Sequence, residues 1–325
     1  MQKIAQHVLE NQRGGVLVGD RGTGIDARDA MATFGADVLR LWSASVEFVD
    51  DVRFGPNVVE QVARVYRNIR NRIRFILGNI ADLPPEAIVE PAAMLPLDRL
   101  ACRVTDAFVA EVRERYAAFG IHDAYLAIVA FESEMSGLAF DAWKDPLYSG
   151  QRDGARRRSA QSALFYLLRG FLTALAPLLP FTAEEAWQSL PEALRGDRES
   201  VFALRFADEH RVSNAADLAL WEQLRTLRAQ VAASNSPRDF EIAVDLYAGG
   251  EQFEALAALG ETLREALIVS EVRMHRDPAA QSARLTIGQA SGAKCSRCWK
   301  FRDLRDGDAR GAICEDCERA VSALA

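Results

Sequence analysis

Hydrophobic residues recur every three or four positions through most of the chain, the period of a helix that buries one face. Val58, Val62, Val65, Ile69, Ile73, Ile76 and Ile80 draw the first stripe, and Leu97, Leu100, Val104, Phe108, Val112, Tyr116 and Phe119 the second. A third helix is predicted over residues 124–143. Residues 160–179 are apolar on nearly every side, which predicts a helix buried all round. Pro84, Pro85, Pro91 and Pro96 crowd residues 82–96. Proline at that density stops a helix, so a linker or long loop is expected there. Residues 149–159 read as a polar loop containing Arg156, Arg157 and Arg158. Thr182 and Glu185 have the spacing of a capping box, which predicts a short helix with Thr182 at its N-cap.

After Gly196 the texture changes. Residues 217–233 read as a further amphipathic helix. Residues 240–247, FEIAVDLY, alternate apolar and polar as a strand does. Residues 253–267 read as helical and 268–274 as a second strand. The expected fold is mainly α. An antiparallel helical bundle over 57–195 buries the apolar stripes against one another. A small α/β module follows over 196–290, and a cysteine-rich module over 291–325.

Composition narrows the function. Of 325 residues, 49% are hydrophobic and 26% charged, a balance that buries a core and excludes disorder over most of the length. The net charge of −7 excludes a protein that coats nucleic acid without discrimination, so any such contact must come from a local patch. Residues 1–20 lack the basic and apolar regions of a signal peptide. Residues 164–181 carry Arg169, Pro177 and Pro180, which fits a buried helix better than a membrane span. A cytoplasmic protein is expected.

Two constellations carry chemistry. Cys295 and Cys298 form one C-x2-C pair, and Cys314 and Cys317 a second. Each pair lets two thiolates reach one ion, and four complete the closed shell of structural zinc. An iron–sulfur cluster is the rival. Lys294, Arg297 and Lys300 flank the first pair and offset its negative charge. Trp299 and Phe301 lie among them, a mixture suited to stacking on bases. The alternative is that Trp299 packs the small core of the module. The fifth cysteine, Cys102, reads as a buried small hydrophobe. The second constellation is residues 53–78, with six arginines against the single acid Glu60. Arg64, Arg67, Asn71 and Arg74 share a helical stripe opposite the apolar face. A stripe of one sign suggests phosphate binding, against a plain solvated or intramolecular face. The remaining signals are weak. Gly19–Gly24 has the spacing of a phosphate loop without its Lys and Ser/Thr. His7, His122, His210 and His275 are scattered, and Asp50–Asp51 is a lone pair. No catalytic constellation emerges.

The motifs FGADVLRLW (34–42), DVRFG (51–55) and YRNIRNRIRFILGN (66–79) resemble the segment after the catalytic domain of bacterial-type isoleucyl-tRNA synthetases. The resemblance continues in order through LDR (97–99), KDPLY (144–148), RRSAQSAL (157–164), LAPLLPFTAEEAW (175–187), IVSEV (268–272), and KCSRCW with CEDC (294–317). It implies that residues 1–56 are a remnant contacting the tRNA stem and that 57–195 are an anticodon-binding domain. It further implies an α/β junction and a zinc module that reads the anticodon loop of isoleucine tRNA. Arg64, Arg67, Arg70, Asn71 and Arg74 would lie against the tRNA, with Arg297 and Trp299 at the loop.

The departures from the family are large. No HIGH tetrad occurs, VLVGDRGT (16–23) stands where the family has its KMSKS loop, and no editing domain is present. Val46-Glu47-Phe48 replaces the usual S-D-Y, Pro146 enters KDPLY, and the junction is shortened around 234–239. ATP binding belongs to the full-length family, and this chain is expected not to form isoleucyl-adenylate alone. Three readings remain: the C-terminal portion of a ligase, acting with a separate catalytic half or broken off from one; a stand-alone tRNA-binding or regulatory paralogue; and a zinc-held protein-interaction module.

Overall fold

A computed structural model describes residues 9–10, 16–17, 27–47, 56–206, 215–234, 241–308 and 311–323. The Gly19–Gly24 segment, Asp50–Asp51, His7, His210, DVRFG and most of 234–239 lie outside them.

The first described elements are two short strands, β1 (Leu9–Glu10) and β2 (Val16–Leu17), paired antiparallel. Helices then dominate: α1 (Ala27–Phe34), α2 (Ala36–Ala44), α3 (Pro56–Ile80), α4 (Pro96–Ala117), α5 (Ile121–Met135), α6 (Asp141–Tyr148), α7 (Ala155–Leu175), α8 (Pro180–Gln188), α9 (Glu192–Arg195) and α10 (Ala215–Ala233). The C-terminal part runs β3 (Ile242–Ala248), α11 (Gly250–Ala257), α12 (Glu261–Leu267), β4 (Glu271–Arg276), β5 (Arg284–Gln289), β6 (Ala293–Lys294), β7 (Phe301–Arg302), β8 (Leu304–Asp308), β9 (Gly311–Cys314) and α13 (Glu315–Ser322). The mainly helical fold with a small mixed sheet and a terminal cysteine module is the one expected. No helix of the described residues is long and apolar enough to cross a membrane.

Contacts group the chain into two compact units, residues 1–81, 108–132 and 168–210, and residues 82–107, 133–167 and 211–325. In the first, the predicted stripe of α3 is the buried one: Ile69, Ile73, Ile76 and Ile80 are all within the core. Phe108 and Phe131 stack at 3.9 Å between ring centroids, and Phe171 leans on both. Helix α8 departs from expectation. It begins at Pro180, with Leu179 at the N-cap. Proline has no N–H to lose and a φ already suited to the first turn, so the helix starts three residues early. Thr182 therefore lies inside the helix. Its orphan N–H is satisfied by Asp37 of α2, whose Oδ2 accepts from the Thr182 backbone N–H at 2.7 Å and hydroxyl at 2.6 Å. Tyr66 of α3 completes the junction, its hydroxyl 2.9 Å from Thr182 Oγ1. Glu185, freed from the capping box, pairs with Arg70 instead.

In the second unit, the proline-rich segment folds as two 3-10 turns, Pro85–Ala87 and Pro91–Ala93, each led by proline. The helix expected over 124–143 is interrupted by a π-turn at Ser136–Phe140, after which α6 continues. Trp143 of α6 is buried, and its indole N–H donates to Asp98 Oδ1 at 2.6 Å. Ser159 donates its hydroxyl to the other oxygen of Asp98 and accepts from the Leu95 N–H at 2.9 Å. Cys102 is buried as expected, against Met94. Helix α7 starts at Ala155 and stops at Leu175, because Pro177 cannot extend it. The sheet has the order β4-β3-β5, with β3 parallel to β4 and antiparallel to β5. Helices α10, α11 and α12 pack on its strands. Strand β4 begins three residues later than predicted, since Ile268 is the left-handed C-cap of α12, with φ 57°.

Candidate metal centre and nucleic-acid interface

The first C-x2-C pair sits in the turn of the β6–β7 hairpin, where Lys294 pairs with Phe301. The Cys295 N–H donates to the Lys300 carbonyl at 2.9 Å, and the Trp299 N–H to the Cys295 carbonyl at 3.0 Å. Gly292 opens the hairpin with φ 84°, and a Cβ there would come within 2.5 Å of the Arg302 carbonyl oxygen, so glycine is required. The second pair spans the end of β9 and the first turn of α13. The four sulfurs lie within 4.8 Å of one another, as a set that could hold a metal ion, and Cys298 and Cys314 are 3.8 Å apart. Cys295, Cys314 and Cys317 are buried, and Cys298 is half-buried. Leu304 and Ile313 supply the rest of this small core.

The thiols are unequal. Burial disfavours a thiolate at Cys295, yet the N–H groups of Cys298, Cys314 and Arg297 outweigh it and hold the group down at about 6. Hydrogen bonding to Cys317 and burial push Cys298 up, and burial pushes Cys314 up. A bound cation would relieve that crowding by taking all four as thiolates.

The flanking cations turn inward. Lys300 is buried, and its ammonium pairs with Asp145 of α6, which also accepts from Arg156. Burial works against the Asp145 carboxylate, but Lys300 and Arg156 hold it below its ordinary range. Burial lowers the Lys300 ammonium in turn. Arg297 donates to the Ser149 carbonyl and, at 3.7 Å, to Cys317 Sγ. The Phe301 N–H donates to Ser270 Oγ at 2.8 Å, and Arg302 to the Ser270 carbonyl at 2.6 Å. The module is thus fastened to α6 and to the base of the sheet. Trp299 does the opposite. It is 59% exposed, so it is not the core of the module. Lys294 Nζ sits 5.7 Å from its ring centroid.

The arginines of α3 separate into two kinds. Arg64, Arg67, Asn71 and Arg74 are exposed, as their shared stripe predicts. Arg70 lies off the stripe, half-buried, with a two-pronged pair to Glu185 at 2.7 and 3.1 Å. Arg72 is bound to Glu132 at 2.7 Å. Within the stripe, Arg67 pairs with Glu60 at 2.7 Å. Glu60 is held below its ordinary range by Arg67 first and by Arg64 as a minor contributor. Neither Arg64 nor Arg74 makes an ion pair among the described residues, and of the two only Arg64 acts on Glu60, which leaves Arg74 the more available cation. Glu60 was visible in the sequence, but Glu132 and Glu185 reach α3 from 60 and 115 positions away, and no local pattern announces them.

Residues 98–244 match the family model described as the anticodon-binding domain of tRNA ligase. Isoleucine--tRNA ligases align over most of the chain. That of Nitratidesulfovibrio vulgaris is 34% identical over 307 residues, covering 88% of this chain and 33% of the relative. That of Nitrosomonas europaea is 32% identical over 313 residues, covering 91% and 33%. Among solved structures, the ternary LeuRS–tRNA–LeuAMS complex of Agrobacterium radiobacter covers 76% of this chain and 26% of that chain, with TM-score 0.40 and 16% identity. The chain carries the anticodon-binding domain of a tRNA ligase. It is homologous to isoleucine--tRNA ligases and spans about one third of the length of these relatives.

Proposed function

We propose that this chain binds isoleucine tRNA as the anticodon-recognising portion of an isoleucine--tRNA ligase, with one structural zinc held by Cys295, Cys298, Cys314 and Cys317. The match of residues 98–244 to the anticodon-binding domain carries the reading. The donor set supports zinc. Zn–S bonds of about 2.3 Å in a tetrahedron place the sulfurs about 3.8 Å apart, and Cys298 and Cys314 stand at 3.8 Å. The metal would fix the knuckle that presents Trp299. No reaction is assigned to it, because four thiolates leave no open position. The stretch contains neither HIGH nor KMSKS, so binding rather than adenylation is its assigned task. The proposed order along the chain is a stem-contact remnant to residue 56, the anticodon-binding helices to 195, the junction to 290 and the zinc module beyond.

The two proposed contact regions should fail differently. Arg64, Arg67, Asn71 and Arg74 are assigned to phosphates, with Arg74 the most available. Phosphate contacts carry no base information. Arg74→Ala should therefore weaken every tRNA alike and lower the slope of log affinity against log salt by about one. Trp299→Ala should cost about 1–3 kcal/mol, mainly on the cognate tRNA, because a stacked base is lost. A salt titration of both variants checks this. An unchanged slope for Arg74→Ala removes the stripe from the interface. Arg70 and Arg297 are assigned to holding their neighbours in place for tRNA, through Glu185 and through Ser149 and Cys317.

A further inference from the structure

Two cavities of the second compact unit meet at Cys298, the half-buried thiol among the four. The first, of about 210 Å³, brings Arg156 of α7 and Arg302 of β7 to the cysteines. The second, of about 500 Å³, brings Arg264 of α12, and Lys300 lines both. Two carboxylates lie among these cations. Asp145 accepts from Lys300 and Arg156, and the buried Glu265 accepts from Arg156 as well. Arg264 pairs with Glu261, whose side chain is 81% exposed.

The cluster holds more positive charge than its own carboxylates neutralise. Arg302 donates through Nη1 to the Ser270 carbonyl, but its Nη2 is buried with no hydrogen-bond partner among the described residues, and so is Arg264 Nε. A buried charge left short of partners is costly. Burial first, and then the charge of Arg302, lowers the pKa of Arg264. Arg264 and Arg156 in turn both act against the Lys300 ammonium. Cations that repel one another in this way call for negative charge nearby, and the wall they share is made of thiols. Four thiolates around Zn²⁺ carry two negative charges, and metal-free thiols carry less. The loaded centre therefore supplies the charge that this surplus lacks. Of the cations next to the cysteines in sequence, Lys294 lies over the exposed Trp299 ring instead.

We propose that Arg156, Arg264, Lys300 and Arg302 are the counter-charge of the metal-loaded cysteine centre. Arg264 and Arg302 contribute most, since each has a buried donor to spare. The proposal rests on the zinc reading and adds what sets the affinity of the site. The test is a cobalt(II) titration of the full chain, read by the d–d bands of a tetrahedral thiolate site, followed by competition with zinc(II). Arg302→Met and Arg264→Met should each weaken metal binding about tenfold, the usual scale for a partner outside the ligand set. Arg302→Lys keeps the charge and should bind as wild type does. Glu265→Gln removes a negative charge yet can still accept from Arg156, so it should bind at least as tightly as wild type. The thermal midpoint of the helices shows that each variant folds, and Arg264→Met, placed outside the module, carries the test where Arg302→Met does not. If both methionine variants bind metal as wild type does, the cluster is no counter-charge. If Arg302→Lys and Glu265→Gln lose as much as the methionine variants, the cluster is a clamp of fixed shape. In either case the proposal is overturned and the zinc reading stands. If wild type takes up neither cobalt nor zinc, the zinc reading falls and the proposal with it.

Discussion

Removing the metal is expected to unfold the C-terminal module, residues 293–323, while the helices of the first compact unit stay folded. The module's own core is small, whatever its first hairpin gains from α6 and the sheet. Strands β6 and β7 are two residues each, α13 has eight, and the apolar core beyond the cysteines is Leu304 and Ile313. A core of that size does not offset chain entropy unaided. Structural zinc supplies an apparent stabilisation on the order of 10 kcal/mol at neutral pH, and a zinc held by these four cysteines would supply it as folding energy. The first unit has its own packed interior around Phe108, Phe131 and Phe171. Metal analysis should find about one zinc per chain, and Cys298→Ser should abolish it. Amide exchange after chelation should then lose protection in the module alone. Iron with visible charge-transfer bands, or a module that keeps its protection without metal, would refute the assignment.

The second large effect is expected at Asp98. This carboxyl is almost fully buried, and burial raises its pKa to about 6, against the weaker opposing pull of hydrogen bonds from Ser159 and Trp143 and of the charge on Arg156. The sign follows from the direction of the shift. Below about pH 4 the group is neutral in both the folded and unfolded chains. As pH rises from about 4 to about 6, the unfolded chain releases the proton and the folded chain does not. Stability contributed by the protonated group is therefore lost across that window, on the order of 3 kcal/mol in all. Asp98→Asn should flatten the profile between pH 4 and 6, because it stays neutral and can still accept from the Trp143 indole. Asp98→Ala should cost about 2–4 kcal/mol near pH 4, where the carboxyl is neutral, since it leaves a buried indole N–H and a serine hydroxyl without their partner, and less at neutral pH, where it also removes a buried charge. Urea midpoints of both variants across pH check the account. A wild-type stability that rises between pH 4 and 6 with the same slope as Asp98→Asn would contradict it.

Much of the site was legible because spacing alone defines it. Two C-x2-C pairs can close on one ion whatever surrounds them, and the period of α3 places Arg64, Arg67, Asn71 and Arg74 on one exposed face. Periodicity gives a face but not what lies across from it. Arg70 and Arg72 therefore could not be told from Arg74 until Glu185 and Glu132 were seen against them. The capping box at Thr182 was a sound local pattern overruled by a stronger neighbour, Pro180 at the first helical position, with the missing cap supplied by Asp37. The exposure of Trp299 was equally out of reach. It follows from a left-handed backbone that the knuckle imposes and that glycine would ordinarily occupy.

The central claim is that this chain recognises an anticodon loop, and the isoleucine one in particular. Its most direct test is equilibrium binding of the zinc-loaded chain to isoleucine tRNA and to a non-cognate tRNA at physiological salt. The account predicts measurable binding to both through phosphate contacts and at least tenfold tighter binding to isoleucine tRNA, the factor one base contact supplies. Equal affinity for the two tRNAs, or an acidic peptide that binds where neither tRNA does, would contradict it.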